Sequence, residues 1–358
     1  MRICLLIAVV ALWTPNAVAG IPPDAVTPAM VATARKLTQQ AGLHNTGYAI
    51  VESLTTEVGP RLAGTEAEGR ARQWALSKFR ELGFHNVRVE PFMVPLWLRG
   101  IERAEITSPF PQPLTITALG AAPGADQLGR TLSRGEPVIV KLVITPQLLP
   151  ATESGNVIAE IPGSAAPEEI VLVGAHLDSW DLGTGAIDDG AGIGIVIGAT
   201  KLLLDFLPNG PRRTIRIVLF GSEEVGLVGA QAYAEQHAGE LQNHVIATES
   251  DFGAGNIWRF DTGVADDKVP LAGAIGELLR PLGIEPGTNT ATGGPDIKYL
   301  REAGVPVVGL KQNGWDYFDL HRTPDDTQDK IASDALDQKI AAYAVLLYLA
   351  AEIEADFR

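Results

Sequence analysis

Ile170-Val-Leu-Val-Gly174 is an uninterrupted apolar run of the length of a buried strand, and it opens a regular alternation of strand-like and helix-like segments. Ala191 to Phe206 reads as an apolar helix rich in small residues, closed by Pro208-Asn209-Gly210. Thr214 to Phe220 then reads as a strand, Leu227 to His237 as a helix and His244 to Thr248 as a strand. Leu271 to Leu282 continues as a helix, Val305 to Leu310 as a strand and Ala332 to Ile353 as a long final helix. A strand that is apolar at every position must be covered on both faces, and repeated strand–helix crossovers set strands parallel. The expected fold is α/β, a three-layer α/β/α sandwich with a mostly parallel central sheet. Upstream, residues 28–43, 46–58 and Glu66 to Leu82 read as helices, the last closing at Gly83. From Val87 to Glu160 the chain is rich in Pro, Gly and short β-like runs such as Val138 to Val143 and Asn156 to Ile161. That β-rich segment precedes the alternating strands as a lid, a small subdomain or edge strands of the main sheet.

The first residues read as a secretory signal over 1–19. Arg2 supplies the positive end, Ile3 to Trp13 the apolar centre and Ala17-Val18-Ala19 the small-residue cleavage site before Gly20. The apolar run is too short to span a bilayer as a helix. The expected location is therefore periplasmic or secreted. Cys4 lies inside this leader, so the chain from Gly20 onward contains no cysteine, which excludes disulfide stapling and thiol chemistry there. A formal net charge of −15 argues against nucleic acid and anionic membrane surfaces as partners.

Four polar positions, His176, Glu223, Glu224 and Asp251, fall just past the C-terminal ends of predicted strands. That edge is where ligand sites form in open parallel sheets. Imidazoles with carboxylates are a donor set suited to a pair of zinc ions. Asp178, two residues after His176, either holds one ring nitrogen so that the other faces a metal, or caps a turn. In Asp188-Asp189-Gly190 the acids suit a helix N-cap, and Asp188 equally suits a carboxylate shared by two metals. Glu223-Glu224 sits between an apolar strand and Val225-Gly226-Leu227, a poor setting for a casual surface charge. A division of labour there makes Glu223 the general base for a metal-activated water and Glu224 a metal ligand. Asp251 is placed to complete a second metal's shell, with Glu249 a nearby acid. His321 follows Trp315, Tyr317 and Phe318, a cluster that serves as core packing or as a pocket wall. His44, His85, His237 and His244 lack such surroundings and receive no role.

Together, His-x-Asp, Asp-Asp-Gly, Glu-Glu, an Asp after a strand and a His with a following Asp-Thr resemble the co-catalytic zinc exopeptidases of the aminopeptidase Y type. Val173 to Gly190 is especially similar to the carboxypeptidase Q branch, and the similarity resumes through Arg213 to Gly229, Glu249 to Asp251 and Gly293 to Val307. The resemblance implies a zinc exopeptidase fold over 20–358, with 88–155 as a reduced lid or the remnant of a longer insertion. It implies two Zn2+ per chain: His176 and Asp251 at one, Glu224 and His321 at the other, and Asp188 bridging. Glu223 is then the general acid/base. The implied activity is hydrolysis of dipeptides or short peptides through a metal-activated bridging water, with a homodimer as the assembly. An aminopeptidase on longer peptides, a glutaminyl-cyclase-like enzyme and a non-catalytic binding relative are the alternatives. Arg322 to Asp325 departs from the relatives' pattern, so the pocket beside His321 is expected to differ.

Overall fold

A computed structural model describes residues 25–43, 46–117, 119, 134–135 and 137–358. The expected leader and His44 lie outside the described residues. The strands are β1 (His85–Leu98), β2 (Glu102–Ser108), β3 (Gln112–Leu114), β4 (Ile139–Ile144), β5 (Gln147–Ile161), β6 (Ala166–His176), β7 (Arg213–Phe220), β8 (His244–Glu249), β9 (Ile257–Gly263), β10 (Glu285–Pro286) and β11 (Val307–Gln312). An 8-stranded sheet runs in the order β1-β5-β7-β6-β8-β11-β9-β10. Its centre, β7-β6-β8-β11, is parallel, while β1/β5, β5/β7 and β11/β9 pair antiparallel and β10 runs parallel to β9.

Side chains alternate between the two faces of a strand, and here both faces are apolar. In β6, Val171, Val173 and Ala175 enter one core while Ile170 and Leu172 enter another. In β7, Ile215, Ile217 and Leu219 join the first core while Val218 and Phe220 join the second. The first core is large and is closed by helices Pro28–Ala41, Thr46–Glu57, Glu66–Glu81, Ala191–Phe206, Val269–Leu279 and Ser333–Glu352. The second is thin and is closed by Val228–Gln236 and the short Lys298–Glu302. This is the three-layer α/β/α arrangement, with the sheet in the middle.

The predicted helix from Leu271 to Leu282 stops at Leu279, and Pro281 lies in a separate 3-10 turn, Arg280–Leu282. Strand β9 has no counterpart in the sequence reading, because Trp258, Arg259 and Asp261 interrupt its apolar run. Strands β1 and β5 form a long antiparallel pair from His85↔Glu160 to Leu98↔Gln147. A 3-stranded sheet, β3-β2-β4, is carried at the far end of that pair. Among the described residues no helix is long and apolar enough to cross a membrane.

The final helix is tied to the sheet by Arg213, which is buried at the start of β7. Its guanidinium donates to the carbonyls of Ala350 (3.0 Å), Ile353, Glu354 (3.2 Å) and Ala355 (3.2 Å) and pairs with Glu169. Carbonyls left open at a helix end are thereby satisfied.

His244 sits in the thin layer, Nε2 2.9 Å from the Tyr233 hydroxyl and Nδ1 3.2 Å from the Glu240 carbonyl. A neutral ring meets both partners, accepting from the hydroxyl and donating to the carbonyl. Burial, reinforced by Arg216, pushes its pKa down to about 4. The unfolded ring gains a proton below its ordinary pKa of about 6.5 while the folded ring does not, so stability falls as pH drops from there towards 4. Urea unfolding at pH 7.5 and 4.5 should show His244→Gln losing less stability across that interval than the parent chain, by a few kcal/mol at most.

Candidate metal centre

The candidate residues converge at the C-terminal ends of β6, β7 and β8. His176 closes β6 and is fully buried. Its Nδ1 lies 2.9 Å from the main-chain carbonyl of Asp178, which leaves Nε2 facing acids: Asp188 Oδ1 at 3.1 Å and Asp251 Oδ1 at 3.6 Å. The Asp178 carboxylate stands 3.8 Å from Nδ1. It accepts instead from the backbone N–H groups of Glu223 (3.0 Å) and Glu224 (3.3 Å). One acid therefore locks the turn after β7 onto the end of β6.

Asp188 and Asp189 are buried in a non-helical turn before the helix Ala191–Phe206, with a cis peptide between them. Asp189 accepts from the N–H of Gly192 (3.0 Å) and from the N–H of His176 (3.2 Å), so it caps the helix and clamps the strand end at once. Gly192 allows this approach, since a Cβ there would lie 2.3 Å from both Asp189 carboxylate oxygens. Asp326, in the turn after His321, accepts from the N–H of Ile187 at 2.6 Å and holds the same turn from the other side.

Two groups of donor atoms emerge, each lying within 4.8 Å of one another: His176 with Glu223 and Glu224, and His176 with Asp188 and Asp251. His321 belongs to neither. It is stacked on Tyr317 at 4.4 Å between centroids, and Tyr317 stacks on Phe252 at 4.7 Å. Tyr317 is buried and orients the imidazole, whereas Trp315 and Phe318 are exposed at the mouth. Buried polar atoms without a hydrogen-bond partner gather here: Asp188 Oδ2, Glu224 Oε1 and His321 Nδ1 offer open lone pairs to a cation, and Glu249 Oε1, both Asp296 carboxyl oxygens and Arg322 Nε are likewise unpartnered.

The electrostatics agree. Burial penalises a charge on His176, but its contacts with Asp178, Asp188 and Asp251 outweigh this and raise its proton affinity well above the ordinary value. Burial likewise opposes charge on Asp188, yet His176, Arg322 and His321 hold it below the usual carboxylate range. The other acids go the opposite way. Burial and neighbouring carboxylates push Glu223 up to about 7 and Glu249 to about 8, and raise Glu224, Asp189 and Asp296 as well. Carboxylates that resist ionising together are the mark of a site short of positive charge, which a divalent ion supplies. The nitrogen and oxygen donors present fit zinc.

Nothing in the sequence flags three further residues. Arg61, in a Pro-Arg turn, is fully buried and donates to the carbonyls of Leu177 (2.5 Å), Thr184 (2.9 Å) and Gly185 (2.9 Å). Lys339, from the final helix, donates at 2.6 Å to both the Gly253 carbonyl and the Gln312 side chain, and burial pushes it down to about 7. Trp180 donates its indole N–H to Glu224 Oε2 at 2.9 Å. Trp180 also packs edge-on against Trp97 at the root of the 3-stranded sheet, where Arg99 binds Asp181. Beside Asp251 a cavity of about 330 Å³ opens between Glu249, Phe252, Trp258 and Leu310.

The family model for Peptidase family M28 matches residues 156–347. The chain belongs to that family. Over the whole fold it is similar to a peptidase M28 precursor from Shewanella amazonensis SB2B, with 38% identity, a TM-score of 0.86, and coverage of 92% of this chain and 98% of that one. Carboxypeptidase Q from Rattus norvegicus is 36% identical over 230 residues, which is 64% of this chain and 48% of that protein. The chain spans about half the length of the curated relatives it matches. The zinc aminopeptidase BSAP from Bacillus subtilis shares the fold, with a TM-score of 0.62 at 16% identity over 87% of this chain and 98% of that one.

Replacing Arg61 tests the electrostatic reading of the floor. Arg61→Met leaves Asp326, Asp178, Asp189 and Asp188 without their shared buried cation and removes the side-chain donor to the carbonyls of Leu177, Thr184 and Gly185. The expected loss is about 3–5 kcal/mol in chemical unfolding. An unchanged midpoint and slope would show that Arg61 does not hold these acids.

Proposed function

We propose that this chain is a secreted or periplasmic two-zinc exopeptidase that hydrolyses the peptide bond of dipeptides or short peptides. The observation that carries the reading is a set of donor groups that meet at His176, in which one carboxyl, Glu223, makes no hydrogen bond among the described residues. In this reading His176 and Asp251 hold one zinc and Glu224 and His321 the other. Asp188 lies between them, with Oδ1 towards His176 and Oδ2 on the side of Arg322 and Glu224. Residues 1–19 are the cleaved leader, 20–358 the peptidase domain and 88–155 a reduced lid at its rim.

Zinc bound there supplies Lewis acidity, which polarises a carbonyl and acidifies water near neutral pH. The protein's own part is proton handling and position. Glu223, raised to about 7 by burial, accepts a proton from the attacking water and returns it to the leaving amine. Asp178 fixes that carboxyl through its backbone N–H, and the Asp178 main-chain carbonyl fixes the His176 ring. The cavity of about 330 Å³ beside Asp251 is at the small end for ligand sites, which favours a short substrate.

Glu223→Gln should keep the parent's metal content and lose on the order of 10² to 10⁴ in kcat; full activity with both metals retained would remove Glu223 from this role. The relatives are named for both ends of a peptide, so the substrate test uses a free dipeptide, its N-acylated form and its C-amidated form. Cleavage of the free dipeptide alone is expected. Tolerance of one block names the end that goes unread, and cleavage of none with two zincs bound ends the peptidase reading.

A further inference from the structure

Arg322 brings into the centre a positive charge that none of the roles above uses. It follows His321 directly and has a backbone φ of 61°, the left-handed conformation that residues with a side chain seldom adopt. Its Nη2 lies 2.8 Å from Glu224 Oε2 and its Nε 3.6 Å from Asp188 Oδ2. In the reading above Glu224 belongs to one zinc and Asp188 is shared by both. Trp180 donates to the same Glu224 oxygen, so Oε2 is engaged twice while Oε1 stays buried and unpartnered. Among the described residues no other arginine or lysine forms an ion pair with Asp188, Glu223, Glu224 or Asp251.

The two halves of the centre therefore meet different cations. Around His176, Asp188 Oδ1 and Asp251 face an imidazole, whose Nε2 is itself a candidate metal donor. Around Glu224 and Asp188 Oδ2 stands a guanidinium, which does not deprotonate in a protein. A permanent positive charge against two carboxylates repels any divalent ion approaching them, and its ion pair with Glu224 Oε2 occupies one side of that carboxylate. The side chain of Arg322 is 36% exposed, so a route out to solvent exists.

We propose that Arg322 is an internal competitor of one metal ion. The His176–Asp251 side loads first, and the Glu224–His321 side loads only when Arg322 releases Glu224 and Asp188. This inference rests on the two-zinc reading above.

The test is a zinc titration of the chelator-stripped full chain against a chromophoric competitor, repeated with cobalt so that each site reports by its own absorption. Parent, Arg322→Gln and Arg322→Lys are compared, with circular dichroism to establish folding. The parent should show two classes separated by about tenfold or more in Kd. Arg322→Gln should tighten the weaker class by about tenfold and leave the stronger unmoved, with Arg322→Lys in between. A parent that binds one ion while Arg322→Gln binds two is the same result in stronger form. Two ions in every variant, with the weaker Kd unchanged or looser in Arg322→Gln, overturns the competition and leaves the two-zinc reading standing. One ion or none in all of them ends that reading and the competition with it. If Arg322→Gln does not fold, an unchanged weaker Kd in Arg322→Lys overturns the proposal by itself.

Discussion

A crowd of carboxylates buried at the ends of three neighbouring parallel strands is the constraint on which this structure turns. A buried charge must be paired, hydrogen-bonded or neutralised by a proton. All three remedies are in use. Arg61 lies beneath the centre as a buried cation among four aspartates. Backbone N–H groups of sharp turns are given to Asp178, Asp189 and Asp326. Glu249 and Asp296, pressed together behind Asp251, resist ionising at all. Gly294 permits that approach, because a Cβ there would meet the Glu249 carboxyl at 2.2 Å.

Folding and chemistry are consequently served by the same side chains. Asp189 begins a helix and fixes the strand that ends in His176. Asp178 joins two strand ends that have no sequence proximity. The 3-stranded sheet is linked to the centre through Glu102 of β2, which pairs with Arg99; Arg99 lies over Trp97 of β1 and over Trp180, and Trp180 holds one oxygen of Glu224. A change in that outlying sheet thus has a physical route to a candidate metal ligand.

Much of this was legible in the sequence, for a reason particular to buried parallel strands. Ile170 to Gly174 and Thr214 to Phe220 are apolar on both faces, so neither propensity nor periodicity had to compete with solvent. The polar residues that follow them stand out against that background, and the structure brings His176, Asp188, Glu223, Glu224 and Asp251 into two overlapping groups. Strand β9 was hidden because its pairing with β11 is a tertiary fact and its charged residues spoil the pattern. Arg61, Lys339 and Trp180 were hidden because their partners are far away in sequence. The role of Asp178 was half visible: its carboxylate serves the turn after β7, and its main-chain carbonyl does what was expected of its side chain.

The inequality of the two helical layers has a bearing on how firmly each part of the centre is held. His176 and Asp188 stand on the thick layer, where Ala191–Phe206 packs against the final helix and the two N-terminal ones. The turn bearing Glu223 and the loop bearing Asp296 run instead into Val228–Gln236 and Lys298–Glu302, which share only a thin core. Local opening follows the number of apolar contacts that must be broken. The centre is therefore framed by unequal leaves: His176 and Asp188 are seated on many apolar contacts, whereas Glu223 and Glu224 share a turn that is backed by few.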